Sequence, residues 1–190
     1  MAATSSTTID WEKINSSLPI KRDADGRAKR KKMFRDFDPN GNGILSLSEV
    51  NKGIRDVLHL DAVFDAKPAI MAAFTAAKAS QKSARGKAGD DYIELKEFRF
   101  FLLALRQYFE YWVAFNRVDV DHDKRISLVE FMENSKMIEG WVKMPVNEAT
   151  FNEIDTNKGG HILFDEFAKW AIKKELDLED DVDLDDEDVA

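Results

Sequence analysis

Residues 38–49 read D-P-N-G-N-G-I-L-S-L-S-E, with a helical pattern of apolar residues on either side. Asp or Asn stands at the first, third and fifth positions, Gly at the sixth and Glu at the twelfth. Calcium takes about 6–8 oxygen ligands, and this spacing can wrap them around one point because the glycine permits a sharp turn. This run, loop 1, predicts a calcium site formed by Asp38, Asn40, Asn42, the Ile44 carbonyl and Glu49, with Ser46 holding a bridging water.

The same spacing recurs at residues 119–130, loop 2. Its sixth position is Lys124, and a residue other than glycine held in the left-handed conformation costs about 1–2 kcal/mol. Loop 2 has four carboxylates where loop 1 has two, which should strengthen the attraction for a divalent ion. The predicted ligands are Asp119, Asp121, Asp123, the Arg125 carbonyl and Glu130, with Ser127 acting through water.

A third copy at residues 155–166, loop 3, is less complete. Its fifth position is Gly159 and its ninth is Leu163, so water must replace two ligands. We expect this site to form and to bind calcium more weakly. Its predicted ligands are Asp155, Asn157, the His161 carbonyl and Glu166.

Such helix–loop–helix units, EF-hands, pair through a short antiparallel contact at an apolar eighth position. Loops 2 and 3 suit one pair, and loop 1 needs a partner. Residues 92–98, Y-I-E-L-K-E-F, provide the second half of one, with Ile93 at position eight and Glu97 at position twelve. Counting back places Gly86 and Ala88 at ligand positions, where neither can bind calcium. We interpret 86–97 as a degenerate, lengthened hand that folds without calcium.

The predicted fold is all-α, with four EF-hands in two paired lobes and a compact arrangement. Residues 94–118 are apolar on more than one side, so this helix, continuous or kinked near Gln107, is expected to pack between the lobes. The helical patterns lie at 26–37, 46–58, 67–82, 94–118, 127–138, 145–154 and 164–174. The predicted organisation is a disordered start at 1–9, a first pair with a leading helix at 10–104, a second pair at 105–174 and a disordered acidic tail at 175–190.

Composition excludes several classes of function. The 190-residue chain has no cysteine, so disulfides, thiolate zinc sites and thiol nucleophiles are absent. The sequence also contains no P-loop and no catalytic spacing of residues, so an enzyme is not expected. No secretory signal is visible, which favours the cytoplasm. The predicted function is calcium sensing, with exposure of an apolar surface to an unidentified protein partner. A calcium buffer, or a structural or adaptor protein of the cilium or cytoskeleton, remains the alternative.

Charge is unevenly distributed in this chain of net charge −8. Residues 175–190 hold ten acidic side chains and no basic one. A run of basic residues near the start of the chain, the basic run, could contact anionic lipid weakly, or could simply be a solvated helix face. Nucleic-acid binding is not expected at this net charge. The basic run consists of Arg27, Lys29, Arg30, Lys31 and Lys32.

Four stretches resemble the flagellar calcium-binding proteins, or calflagins. They are W-E-K-I-N-S-S-L-P (11–19), Y-I-E-L-K-E-F-R-F-F (92–101), Y-F-E-Y-W-V-A-F (108–115) and D-T-N-K-G-G-H-I-L-F-D-E-F-A-K-W-A (155–171). The resemblance implies four hands, some of them silent, and calcium-dependent behaviour at the flagellar membrane. Members begin with Met-Gly and a nearby Cys that accept acyl chains, whereas this sequence begins Met1-Ala2-Ala3. We therefore expect no acyl anchor. The expected location is the cytoplasm, with the flagellum or cilium as the alternative; in a flagellum, we expect a protein partner to hold the protein there.

Overall fold

The computed structural model describes residues 9–79, 91–176 and 178. Within these residues it is all-α, with short strands only at the loops, as predicted. The first half contains α1 (Trp11–Ser17), α2 (Ala24–Phe37), β1 (Ile44–Ser46), α3 (Leu47–Asp56), α4 (Asp61–Asp65), α5 (Lys67–Ala79) and β2 (Tyr92–Glu94). The second contains α6 (Leu95–Val118), β3 (Ile126–Ser127), α7 (Leu128–Glu133), α8 (Ser135–Val142), α9 (Glu148–Ile154), β4 (His161–Ile162) and α10 (Phe164–Lys173).

The eighth-position residues pair the loops as predicted. β1 and β2 are antiparallel, with Leu45 opposite Ile93, and β3 and β4 are antiparallel, with Ile126 opposite Ile162. All four side chains are fully buried, so each two-stranded contact is also part of the core. Loop 1 is thus joined to the degenerate hand, and loop 2 to loop 3.

The helix after each of the first two complete loops begins with a capping box. Ser46, at position nine of loop 1, accepts a hydrogen bond from the Glu49 amide at 3.3 Å, and the Glu49 carboxylate accepts one from the Ser46 amide at 2.9 Å. Ser127 and Glu130 repeat this arrangement at the start of α7. Reciprocal bonds of this kind satisfy amides that the first helical turn leaves unpaired. The serines predicted to hold a water therefore also fix the position of the twelfth-position carboxylate.

The long helix α6 is continuous and is buried on more than one side. Its fully buried side chains include Phe98, Phe101, Phe109 and Phe115. α5 from the first half and α10 from the second both pack against it. This is the position between the two pairs of hands that the apolar pattern predicted.

The helices differ from the prediction chiefly in two boundaries and one additional helix. The expected helix at 127–138 divides at Asn134, whose φ of −97° and ψ of 10° depart from helical values and whose side-chain amide donates to the Glu130 carbonyl. The expected helix from 145 begins at Glu148, because the Asn147 side chain caps the amides of the following turn. The short helix α4 was not predicted.

Order extends past the predicted ends of the folded region. Ile9 packs partly against the core, and Leu176 and Leu178 are buried. The Leu178 amide donates to the Glu110 carboxylate at 2.9 Å, so the boundary expected at residue 175 is wrong for these leucines. The rest of the predicted disordered ends, the end of the 67–82 helix, and Gly86 and Ala88 lie outside the described residues.

Candidate metal centres

Loop 1 folds around its own oxygen atoms. The Asp38 carboxylate accepts hydrogen bonds from the amides of Asn42 and Gly43 at 3.2 and 2.8 Å. Asn40 accepts from the Asn42 amide at 2.9 Å, and its side chain donates to Glu49. The third and twelfth positions are therefore joined directly, and the carboxylate at the first position is fixed by amides of the same loop.

Loop 2 concentrates the most negative charge. One carboxylate oxygen from each of Asp119, Asp121 and Asp123 lies within 4.8 Å of the other two. Among the described residues, this is the one acidic cluster with that geometry. Asp119 is fully buried; one oxygen accepts from the Lys124 amide at 3.0 Å, and the other has no hydrogen-bond partner. Burial raises the pKa of Asp119, and the neighbouring Asp123 and Glu130 charges raise it further. A buried unpaired carboxylate oxygen facing other carboxylates is a natural cation ligand, so the donor set fits calcium.

Glu130 closes loop 2 from α7. One oxygen accepts from the amides of Val120 and Asp121 at 3.0 and 3.4 Å, and the other accepts from the Ser127 amide and hydroxyl at 2.9 and 2.7 Å. Burial raises its pKa, but these hydrogen bonds outweigh burial and hold the pKa of Glu130 below its usual value. The carboxylate is therefore ionised and directed into the loop before any ion arrives.

Loop 3 has the same backbone arrangement with fewer side-chain ligands. The Asp155 carboxylate accepts from the amides of Gly159 and Gly160 at 3.0 and 2.9 Å. Glu166 accepts from the Asn157 amide at 3.0 Å and from the Leu163 amide at 3.0 Å. A Cβ on Gly159 would lie 2.5 Å from the Asn157 side-chain oxygen, so glycine at position five leaves room for the ligand at position three.

The carbonyl ligands predicted at position seven lie where each loop meets its strand. Ile44 and His161 are the first residues of β1 and β4, and Arg125 immediately precedes β3. In each loop the twelfth-position glutamate is hydrogen-bonded to the residue at position three, so the two ends of the ligand run are close together, and the ligand sets themselves stay predictions.

Positions four and six of each loop are left-handed. Lys124 has φ 70°, as its place in the motif predicted, and its counterparts Gly43 and Gly160 have φ 80° and 78°. The sequence interpretation missed position four, where His122 and Lys158 have φ 60° and 59°. The glycine at position four of loop 1, Gly41, was the available signal.

The degenerate hand contains a residue that the motif did not indicate. Lys78, in the last turn of α5, places its Nζ 3.1 and 3.2 Å from the two carboxylate oxygens of Glu97. The Glu97 side chain is buried, and only 9% of the Lys78 side chain is exposed. Lys78 lies before the loop and outside any ligand position, so loop spacing could not identify it.

The basic run is only partly available at the surface. Arg30 is buried and donates to the carbonyls of Pro19 and Lys21, so its predicted membrane contact is wrong. Lys29 and Lys32 pair with Asp25 and Asp36, each at 2.7 Å, and the Asp25 hydrogen bond and charge raise the pKa of Lys29. The net positive charge of this face is smaller than the sequence suggests.

Paired helix–loop–helix units with oxygen-rich twelve-residue loops define an EF-hand protein, and this chain is a calcium-binding one. The FCaBP EF-hand domain matches residues 14–105, and the EF-hand domain pair matches residues 111–172. The chain belongs to the flagellar calcium-binding protein family, whose members are calcium-binding proteins rather than enzymes.

Two relatives establish this membership. The chain is 36% identical over 183 residues to flagellar calcium-binding protein TB-17 of Trypanosoma brucei brucei, covering 95% of this chain and 78% of that protein. It is 32% identical over 175 residues to the flagellar calcium-binding protein of Trypanosoma cruzi, covering 91% and 83%. Among solved structures, this chain is similar to a homolog of programmed cell death 6 protein from Leishmania major Friedlin, with a TM-score of 0.41 and 17% sequence identity. The match covers 83% of this chain and 78% of that one.

Proposed function

We propose that this protein is a calcium sensor in which calcium at loop 3 moves α10 and uncovers aromatic side chains of α6 for a protein partner. The observation that carries the proposal is the position of Glu166 between two aromatic contacts. Phe164 packs edge-on against Trp112 and Phe115 at ring distances of 5.2 and 5.8 Å, and Phe167 packs against Phe115 at 5.7 Å. The predicted calcium ligand and the side chains that cover α6 thus share one turn of helix.

Calcium competes for oxygen atoms that are already engaged. The Glu166 carboxylate accepts hydrogen bonds from Asn157, Thr156 and Leu163. A twelfth-position glutamate holds calcium with both oxygens, so ion binding must weaken some of these bonds and shift the first turn of α10. In sensor EF-hands such a shift changes the angle between helices and exposes apolar surface.

Apolar side chains already at the surface would extend the exposed area. Val129 and Met132 on α7 are 64% and 40% exposed and lie three residues apart on one helix face, and Ile172 on α10 is 41% exposed. Exposed apolar side chains of this kind favour a protein partner over a small polar ligand.

The test compares Glu166→Gln with Asp165→Asn. Both changes replace an acid by its amide in the first turn of α10, but Asp165 points to solvent and pairs with Lys169. We expect calcium to raise the fluorescence of a hydrophobic dye in the unchanged protein and in Asp165→Asn, and to have at most about a third of that effect in Glu166→Gln. An equal dye response in both variants would refute the proposed movement of α10.

A calcium buffer is the second candidate. It is favoured by the twelfth-position carboxylates, which already lie within hydrogen-bond distance of their own loops, so that binding could require little movement. Calcium heat in calorimetry without a dye response would identify a buffer. If calcium gave neither a heat signal nor a dye response, a structural or adaptor role would remain.

We extend the location in the relatives' names, the flagellum, to this chain. No helix among the described residues is long and apolar enough to cross a bilayer. Membrane contact through Arg27, Lys29, Lys31 and Lys32 would be weak and salt-sensitive, since such attraction fades over about 8 Å at physiological salt. A protein partner is therefore proposed to hold the protein in place, and the net charge of −8 disfavours nucleic acid in that role.

A further inference from the structure

Glu97 in the degenerate hand has the same pose as the predicted calcium ligands of the complete loops. One oxygen accepts a hydrogen bond from the amide three residues earlier, that of Glu94, at 2.8 Å. The corresponding bonds of Glu49, Glu130 and Glu166 are 2.9, 2.9 and 3.0 Å. The second hand has therefore kept the geometry of a metal-binding carboxylate.

What faces this carboxylate differs from the other hands. The Lys78 ammonium lies 3.1 and 3.2 Å from its two oxygens, so both oxygens meet a single cation, as they would in a loop holding calcium. The Lys78 and Glu97 side chains are 9% and 2% exposed. The pair is thus largely shielded from water and from competing salt.

The packing of α5 places the ammonium at this point. α5 runs along α6, and its buried face carries Ala69, Ala73 and Ala77 at intervals of four residues. Small side chains permit close approach of two helices, and Lys78 follows directly in the last helical turn. A cation at the carboxyl end of a helix is also favoured by the helix dipole.

A buried carboxylate requires a counter-charge, because leaving one unpaired is strongly unfavourable. In loops 2 and 3 that charge must come from solution. In the second hand the counter-charge is a side chain of the protein itself, so its presence does not depend on the calcium concentration. We propose that Lys78 is the resident cation of the second hand and keeps the first pair of hands assembled when calcium is absent.

The consequence is an asymmetry between the two strand contacts. The β1–β2 contact joins a hand with a built-in cation to loop 1, whereas the β3–β4 contact joins two loops whose carboxylates lack a lysine partner of this kind among the described residues. Calcium removal should loosen the second contact and spare the first.

The experiment measures amide hydrogen exchange by NMR in the full chain with excess chelator. Leu45 and Ile93 report the first contact, and Ile126 and Ile162 report the second. We expect exchange in the first contact to be at least about tenfold slower than in the second. Lys78→Gln, which keeps a hydrogen-bond donor and removes the charge, should abolish that difference.

Two further variants separate the proposal from general destabilisation. Lys78→Arg retains the cation and should keep protection of the first contact within about threefold of the unchanged protein, even if Lys78→Gln fails to fold without calcium. Arg106→Gln makes the matched change in the buried ion pair of Arg106 and Glu110, at 2.9 Å, and should preserve the ratio between the two contacts. The proposal is overturned if Lys78→Gln leaves the ratio unchanged, if Lys78→Arg behaves as Lys78→Gln does, or if Arg106→Gln lowers the ratio equally.

Discussion

Lys124 offers a direct measurement of the cost of a side chain at position six of a calcium loop. Its φ of 70° lies in the left-handed region, where loops 1 and 3 carry glycine. Its backbone amide donates to the buried Asp119 carboxylate at 3.0 Å, and glycine would keep this bond. Lys124→Gly therefore changes the conformational preference of one residue without removing a described hydrogen bond.

The expected magnitude follows from two opposing effects. Removing the Cβ relieves about 1–2 kcal/mol of left-handed strain. Glycine also frees the unfolded chain, which costs about 0.5–1 kcal/mol. The calcium-loaded protein should thus gain about 0.5–1 kcal/mol, or about 1–4 °C in Tm for a chain of this size.

The assay is thermal unfolding at saturating calcium, with Lys124→Ala as the control for charge. Alanine removes the ammonium from the neighbourhood of the carboxylates but keeps the strain, so the difference between the two variants isolates the backbone. Gly160→Ala is the reciprocal change: a Cβ there would meet no atom within 4 Å, so the same two effects should act with opposite signs and give a net loss of about 0.5–1 kcal/mol. The reasoning fails if Lys124→Gly is no more stable than Lys124→Ala.

Three further predictions concern affinity, pH and shape. Glu130→Gln should weaken calcium binding more than Glu166→Gln, since loop 2 has four carboxylates; calorimetry giving the opposite order would show that the strain at Lys124 dominates. Burial raises the pKa of Tyr111 to about 12, so its contribution to stability should be complete below pH 10 and be lost as pH rises towards 12. Denaturation at alkaline pH tests this, with a shallower loss of stability expected in Tyr111→Phe. X-ray scattering should give a single-peaked distance distribution and a radius of gyration near the ~16 Å of a compact chain of this length, whereas a two-lobed distribution would contradict the packing of α6 between the pairs.

The loops and their pairing were predictable because calcium chemistry constrains them locally. Ligand oxygens must recur at fixed spacing, and the apolar eighth position selects its partner, as Leu45 and Ile93 show. The ion pair between Lys78 and Glu97 could not be found in this way. It joins residues 19 positions apart and depends on how α5 lies against α6.

Two errors had different origins. Arg30 was assigned to the exposed basic run, yet Gly26, Arg30 and Phe34 recur every four residues and form the buried side of α2. Helical periodicity could have placed it correctly. Leu178 was hidden by the acidic composition around it; its side chain is buried in the core and its amide donates to the carboxylate of the distant Glu110.

The continuity of α6 sets the relative phase of the two halves of the molecule. The helix begins directly after β2 and ends directly before Asp119, the first residue of loop 2. Each residue of an α-helix adds about 100° of rotation and about 1.5 Å of rise. Inserting or deleting one residue within 95–118 would therefore turn loops 2 and 3 by about 100° relative to loop 1 and remove the aromatic contacts of α10. Substitutions along this helix can be absorbed by repacking, but its length in residues cannot change without rebuilding the interface between the pairs.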